Sequence, residues 1–190
     1  MTIGEYSNRS GYDSTTQVLS QYVDTKWFKE EHAYRGSYVH NHLRNHLLGV
    51  WNMPAPTEYQ GYIDSGKLWL DANVKDVLMV ENGDKTRLVD PQHQYSGQPD
   101  LLCTLKLNPK PGIADWKTSI AYSVVWAGQC ASYWNLARLN GYPDADWAAA
   151  VRLRQDGRIA LANFIQNLPL ELQYFLNANA AYRRYTLKLT

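Results

Sequence analysis

The chain has 190 residues, a formal net charge of +1, 45% hydrophobic and 13% aromatic residues, a length that suits one domain with a full core. Near-neutrality excludes a protein coated in basic charge, so any contact with nucleic acid must be a local patch aided by bound cations. Cys103 and Cys130 fit neither a zinc site nor a disulfide framework, and the lack of a leader or long apolar run gives the expectation of a soluble, cytoplasmic protein.

Residues 1–13 are polar with two glycines and read as a flexible N-terminal arm before a single domain over 14–190. Ser14 or Thr15 can cap a first helix through about Val23, and Asp24 or Thr25 a second through Leu48. On the second helix Gly36, Val39, Leu43, Leu47 and Val50 recur at steps of three and four and mark a buried face. His40 stands one step off that line, and His42, Arg44 and His46 read as a solvated basic run. Pro54 and Pro56 break the chain, and Thr57 can cap a helix through about Ala72, with Glu58 placed to favour its dipole. Val74 to Glu81 reads as a strand, Asn82-Gly83-Asp84 as a hairpin turn, and Thr86 to Asp90 as the returning strand.

Gln98 to Lys106 has strand composition, Pro109-Lys110-Pro111-Gly112 reads as a turn, and Gly112 to Thr118 as the strand that returns. Alternation then sends Asp115 and Lys117 to one face, Ala114 and Trp116 to the other. Folding the hairpin about its turn brings Asp100 within a residue or two of Asp115, where opposed Cβ atoms are about 4.5–5.5 Å apart. Two bare carboxylates that close repel one another. The pairing makes chemical sense with a divalent cation between them, and hard oxygen ligands select Mg²⁺ or Mn²⁺.

Thr118 and Ser119 leave the strand where a hydroxyl can meet a phosphate or cap the next turn, and Ser123 can cap a helix over Val124 to Leu139. On that helix Gln129 and Tyr133 are four apart and share a face. Asp146 to Arg154 and Arg158 to Ile165 read as strands about a Gln155-Asp156-Gly157 turn, and Glu171 to Tyr185 as a final helix. Arg152, Arg154, Arg158, Arg183 and Arg184 are candidate phosphate-backbone contacts. The 14 tyrosines and seven tryptophans read mainly as core and surface aromatics, with base stacking as the functional alternative.

The order Gly97-Gln98-Pro99-Asp100, hairpin, Ile113-Ala114-Asp115-Trp116-Lys117, then a helix with Gln129-x-x-x-Tyr133 resembles the PD-(D/E)XK nuclease superfamily, in its RecB-like branch and the phage-type exonucleases within it. Arg35-Gly36-Ser37-Tyr38-Val39-His40 resembles the segment that opens the RecB-like core. The resemblance implies an α/β restriction-endonuclease-like core, a central mixed β-sheet flanked by α-helices. It implies Asp100, Asp115 and Lys117 as catalytic, and His40, Asp100, Asp115 and the Trp116 carbonyl as metal ligands. Gly36 would permit close packing, Gln129, Tyr133, Ser119 and Arg35 would bind substrate, and Glu81 would stand behind the metal ligands. Two cysteines are too few for the iron–sulfur members of that branch. The implied activity is Mg²⁺- or Mn²⁺-dependent hydrolysis of DNA in recombination, repair or replication, in a bacterial or phage-infected cell. A phage recombinase or single-strand annealing protein is the implied protein partner. A structure-specific endonuclease and a non-catalytic nucleic-acid or protein binding module are the alternatives.

Overall fold

The computed structural model of the protein describes residues 11–23 and 30–186. Residues 1–10 of the expected arm, and the Asp24/Thr25 cap, lie outside the described residues. The arm's end is not loose: Asp13 is buried and, with Ser14, forms a short strand β1 (Asp13–Ser14). Ser14 then caps α1 (Thr15–Leu19), its hydroxyl accepting from the Gln17 N–H at 3.1 Å. α2 (Glu30–Leu47) and α3 (Thr57–Asn73) follow. Thr57 is the first residue of α3 rather than its cap, because extended Pro56 occupies the cap position. Val39 and Leu43 are buried as their spacing predicts, but Val50 lies beyond the helix and is exposed.

Five strands form the central mixed sheet: β2 (Val74–Val80), β5 (Leu101–Leu105), β6 (Asn108–Lys117), β7 (Trp147–Arg152) and β8 (Leu161–Phe164), in spatial order β2-β5-β6-β7-β8. Only β6 and β7 run parallel; the other neighbours are antiparallel. β3 (Leu88–Asp90) and β4 (Tyr95–Gly97) join β1 in a second, small mixed sheet. The expected β2–β3 hairpin is therefore absent. Gly83 does turn the chain, at φ 58°, but β2 pairs with β5 and β3 is left to pair with β4.

The central hairpin also turns elsewhere than expected. β5 and β6 are joined at Lys106–Leu107, and Pro109 to Gly112 lies inside β6. Proline is tolerated there because pairing of β6 with β7 begins only at Gly112, so Pro109 and Pro111 precede the doubly bonded stretch.

Side-chain alternation splits the core in two. Leu102, Ile113, Ala148 and Ala150 face α4 (Val125–Leu139) and α5 (Leu168–Tyr185), where Cys130, Leu136 and Phe175 bury. Leu101, Cys103, Ala114, Trp116 and Val151 face α2 and α3, meeting Val39, Leu43, Ile63 and Trp69. Trp69 and Trp116 pack edge to face with centroids 5.6 Å apart. Ser123 does not cap α4 with its side chain; Val124 holds the cap position. The result is an α/β protein with a mixed sheet covered by helices on both faces.

Candidate functional site

β6 supplies Asp115 and Lys117 on the α4 side of the sheet, next in alternation after Ile113. Leu101 is paired with Ala114, so one step along the ladder Asp100 stands opposite Asp115. The Trp116 backbone N–H donates to Asp100 Oδ2 at 2.7 Å. His40, next to buried Val39 on α2, reaches the same carboxylate from the far side of the sheet, with Nδ1 3.0 Å from Asp100 Oδ1. The Asp100–Asp115 pairing thus arises despite the misplaced turn, because a β-bulge between Cys103 and Leu105 takes up the difference.

Lys117 Nζ pairs with Asp115 Oδ2 and donates to Gln129 Oε1 at 2.7 Å. Gln129 Nε2 in turn donates to the Tyr133 hydroxyl at 3.2 Å. Gln129 and Tyr133 therefore act as a brace for the lysine, one helical turn apart as their spacing requires. Gly97 makes room for the tyrosine: a Cβ there would lie 2.6 Å from Tyr133 Cε1. Gly36 has no such duty, since a Cβ on it would meet Thr118 Oγ1 at an ordinary 3.7 Å. The close packing implied for this glycine is not what the described residues around it need.

The electrostatics follow from burial of four ionisable groups together. Burial pushes the Asp115 carboxyl up to about 6, Lys117 opposing and Asp100 adding to the rise. Burial acts on Asp100 in the same sense, but the charge and hydrogen bond of His40, the Trp116 N–H and Lys117 outweigh it and hold the carboxyl below its usual range. His40 and Lys117 are both raised, because their carboxylate partners outweigh the burial that would lower them.

These groups line a cavity of about 730 Å³ that also exposes Glu81, Arg87, Gln98, Ser37 and the first turn of α1. Glu81 stands at its wall, 3.9 Å from Arg44. Burial, then the Asp100 charge, raise the Glu81 carboxyl. Other expected residues lie elsewhere. Arg35 stacks over the Tyr62 ring at 5.3 Å and donates to the Thr118 carbonyl, fastening α2 to the end of β6. Ser119 Oγ donates to the Ala121 carbonyl within its own turn. Arg154 and Arg158 pair with Asp156, Arg152 donates to the Ile120 carbonyl, and Arg183 pairs with Asp13. The residues that sequence reasoning missed are Ser37, Gln98 and Arg87. Ser37 lies one turn before His40, a spacing that signals a shared face. Gln98 sits two residues before Asp100. Arg87 carries no local signal, since only the fold brings it to the cavity.

Among the described residues no group of three or more His, Cys, Asp or Glu side chains is set to hold a metal ion. His40 and Asp100 face each other, and Lys117 faces Asp115. The donor chemistry nevertheless fits a hard divalent cation, with two carboxylates and an imidazole lining one cavity. The raised Asp115 carboxyl marks a place where added positive charge is favourable.

No family profile matches the sequence, and no curated protein matches it. Among solved structures, a crystal structure of LHK-Exo in complex with dAMP is similar at 13% identity and a TM-score of 0.39, the match covering 95% of each chain. At that distance no residue role passes from one chain to the other.

Proposed function

We propose that the protein is a divalent-metal-dependent nuclease of the PD-(D/E)XK type, hydrolysing phosphodiester bonds in DNA as a phage-type exonuclease. The observation that carries this reading is the convergence of Asp100, Asp115 and Lys117, with His40, in one cavity. Asp100, Asp115, His40 and the Trp116 carbonyl would hold Mg²⁺ or Mn²⁺. Such an ion, when bound, acidifies water and offsets charge on the phosphate. With Nδ1 turned to Asp100, His40 has Nε2 left for a ligand.

The chain's own residues do the rest. Lys117, buried and held charged by Asp115, directs its ammonium at the attacking oxygen and at the charge that grows on the phosphate oxygens. Gln129, itself tied to Tyr133, fixes that ammonium so that no side-chain freedom is lost in the transition state. Attack in line with the leaving 3′ or 5′ oxygen then breaks the P–O bond. A structure-specific endonuclease would use the same groups and differ in how the cleft meets a strand end.

One observation favours a second reading, a nucleic-acid or protein binding module without catalysis: each buried acid already faces a basic partner in the protein. The deciding experiment incubates purified protein with end-labelled linear and closed circular DNA, single and double stranded, with Mn²⁺ or EDTA, beside Lys117→Ala. Degradation of linear DNA that spares circles, and is lost in Lys117→Ala, supports the exonuclease. Cut circles move it to the endonucleases, and full cleavage by Lys117→Ala sinks the assignment. DNA bound but uncut under every metal leaves the binding module. A recombinase or annealing protein as partner is tested by co-purification with the wild-type chain.

A further inference from the structure

The cavity holds one more cation that this mechanism does not use. Its basic side chains among the described residues are His40, Lys117 and Arg87. His40 and Lys117 are each committed to a buried acid. Arg87 is held differently. Its Nε and Nη2 both lie 3.3 Å from a single oxygen of Asp84, whose side chain is 47% exposed. The arginine side chain is itself 18% exposed, but both of these N–H groups share one carboxylate oxygen at 3.3 Å, short of the two-oxygen fork that makes such pairs strong. The better contact is neutral: Nη2 donates to Gln98 Oε1 at 2.8 Å, and Gln98 is itself tied to the Gly83 carbonyl. Nη1 reaches Ser96 Oγ at 3.5 Å. The guanidinium is thus aimed by uncharged groups and only lightly neutralised.

Its surroundings need a cation. Glu81, Asp100 and Asp115 open on the same cavity and already occupy Arg44, His40 and Lys117 as their partners, so those cations are balanced and have little charge to spare for a polyanion. Of the arginines that the sequence offers for backbone contacts, none lines the cavity, and Arg152, Arg154, Arg158 and Arg183 are bonded outside it. A guanidinium offers a planar fork of N–H donors that matches a phosphate.

We infer that Arg87 binds a phosphate of the nucleic-acid strand, displacing Asp84, while Gln98 keeps the guanidinium aimed into the cavity. This rests on the nuclease reading for its substrate class. The phosphate is either an internal phosphodiester or a terminal monoester, which the test separates.

The test measures binding of short fluorescent DNA strands in EDTA, where nothing is cut, across a series of NaCl concentrations. Wild type is compared with Arg87→Gln and Asp84→Asn, each checked for unchanged thermal unfolding. Arg87→Gln should bind about tenfold more weakly, the loss of one charged hydrogen bond. Its plot of log affinity against log salt should be shallower by about 0.7 on single strands. Asp84→Asn should bind several-fold more tightly, because the guanidinium loses its internal competitor. A merely structural ion pair makes both variants behave alike, so a parallel loss, or no change in Arg87→Gln, overturns the inference. So does a wild type that binds no strand. A loss of equal size on closed circles and linear strands identifies an internal phosphodiester. A loss confined to phosphorylated ends identifies a terminal phosphate. Cleavage is scored separately: a wild type that cuts nothing yet loses binding on Arg87→Gln defeats the nuclease reading and keeps the phosphate contact. Cleavage with KM unchanged in Arg87→Gln does the reverse.

Discussion

Replacing Asp115 by asparagine should make the protein more stable while it destroys the proposed chemistry. The carboxyl is 4% exposed, and burial raises it from 3.8 to about 6 in the presence of Lys117, Asp100 and His40, the charged groups that face it. A folded state that holds a proton more tightly than the unfolded chain is favoured at low pH, and it loses that advantage as pH rises from 3.8 to about 6. Each tenfold gain in proton affinity is worth about 1.36 kcal/mol, and set against it is the carboxylate that buried Lys117 leans on, so the net loss of the wild type near pH 7 is on the order of 1 kcal/mol. Asparagine resembles the protonated acid and escapes the loss. For a chain of 190 residues that is a melting temperature higher by about 2–4 °C. The assay is thermal unfolding in EDTA near pH 7 and near pH 5, where the gap should shrink to about half. An Asp115→Asn protein no more stable than wild type near neutrality, or a gap that ignores pH, would refute the reasoning.

Gly61→Ala exchanges a helix gain of about 1 kcal/mol for a collision, since its Cβ would sit 1.8 Å from the Gln155 carbonyl oxygen. The collision is backbone against side chain root and cannot rotate away, so urea unfolding should show a net loss of at least about 1–3 kcal/mol; a stabilised variant contradicts it. Gln129→Leu removes the 2.7 Å acceptor of Lys117 and should lower kcat roughly tenfold to a hundredfold, with KM and unfolding little changed; a change in KM alone would make Gln129 a binding residue. With an imidazole in the ligand set, Mn²⁺ should support cleavage at least as well as Mg²⁺, and a strict Mg²⁺ requirement would remove His40 from that set.

Much of the site is legible in the sequence because it rests on short-range rules. Asp115 and Lys117 are two apart on a strand, Gln129 and Tyr133 four apart on a helix, and both pairs share a face as those periods dictate. The helices from Glu30, Thr57, Val125 and Leu168 lie close to where apolar spacing puts them. The two turns fail for different reasons. Pro109 and Pro111 carry strong turn signals, but their place ahead of the β7 pairing makes them harmless in a strand. Asn82-Gly83-Asp84 forms its turn, yet the partner of β2 is chosen by Leu101 and Cys103, which bury completely beside it. Strand partners are a tertiary choice that no local signal encodes. Arg87 escapes a sequence reading for the same reason, since it reaches the cavity only because β3 leaves the main sheet for β4.

The strict alternation along β6 has a consequence for how this protein can fail. Asp115 and Lys117 lie on one side of the strand, and Ala114 and Trp116 on the other. Slipping β6 by a single residue would exchange the two sets, thrusting an indole into the cleft and two ionised groups among Val39, Leu43 and Trp69. There is no half-correct arrangement between these states. Errors of assembly here are all-or-nothing, and so are changes in the length of the Lys106–Leu107 connection. One residue added there is harmless when the irregularity opposite Thr104, whose extra residues Pro109 to Pro111 lie on β6, absorbs it, and lethal to the fold when it does not. Natural or designed length variants should therefore fall into two groups, indistinguishable from wild type or unable to fold.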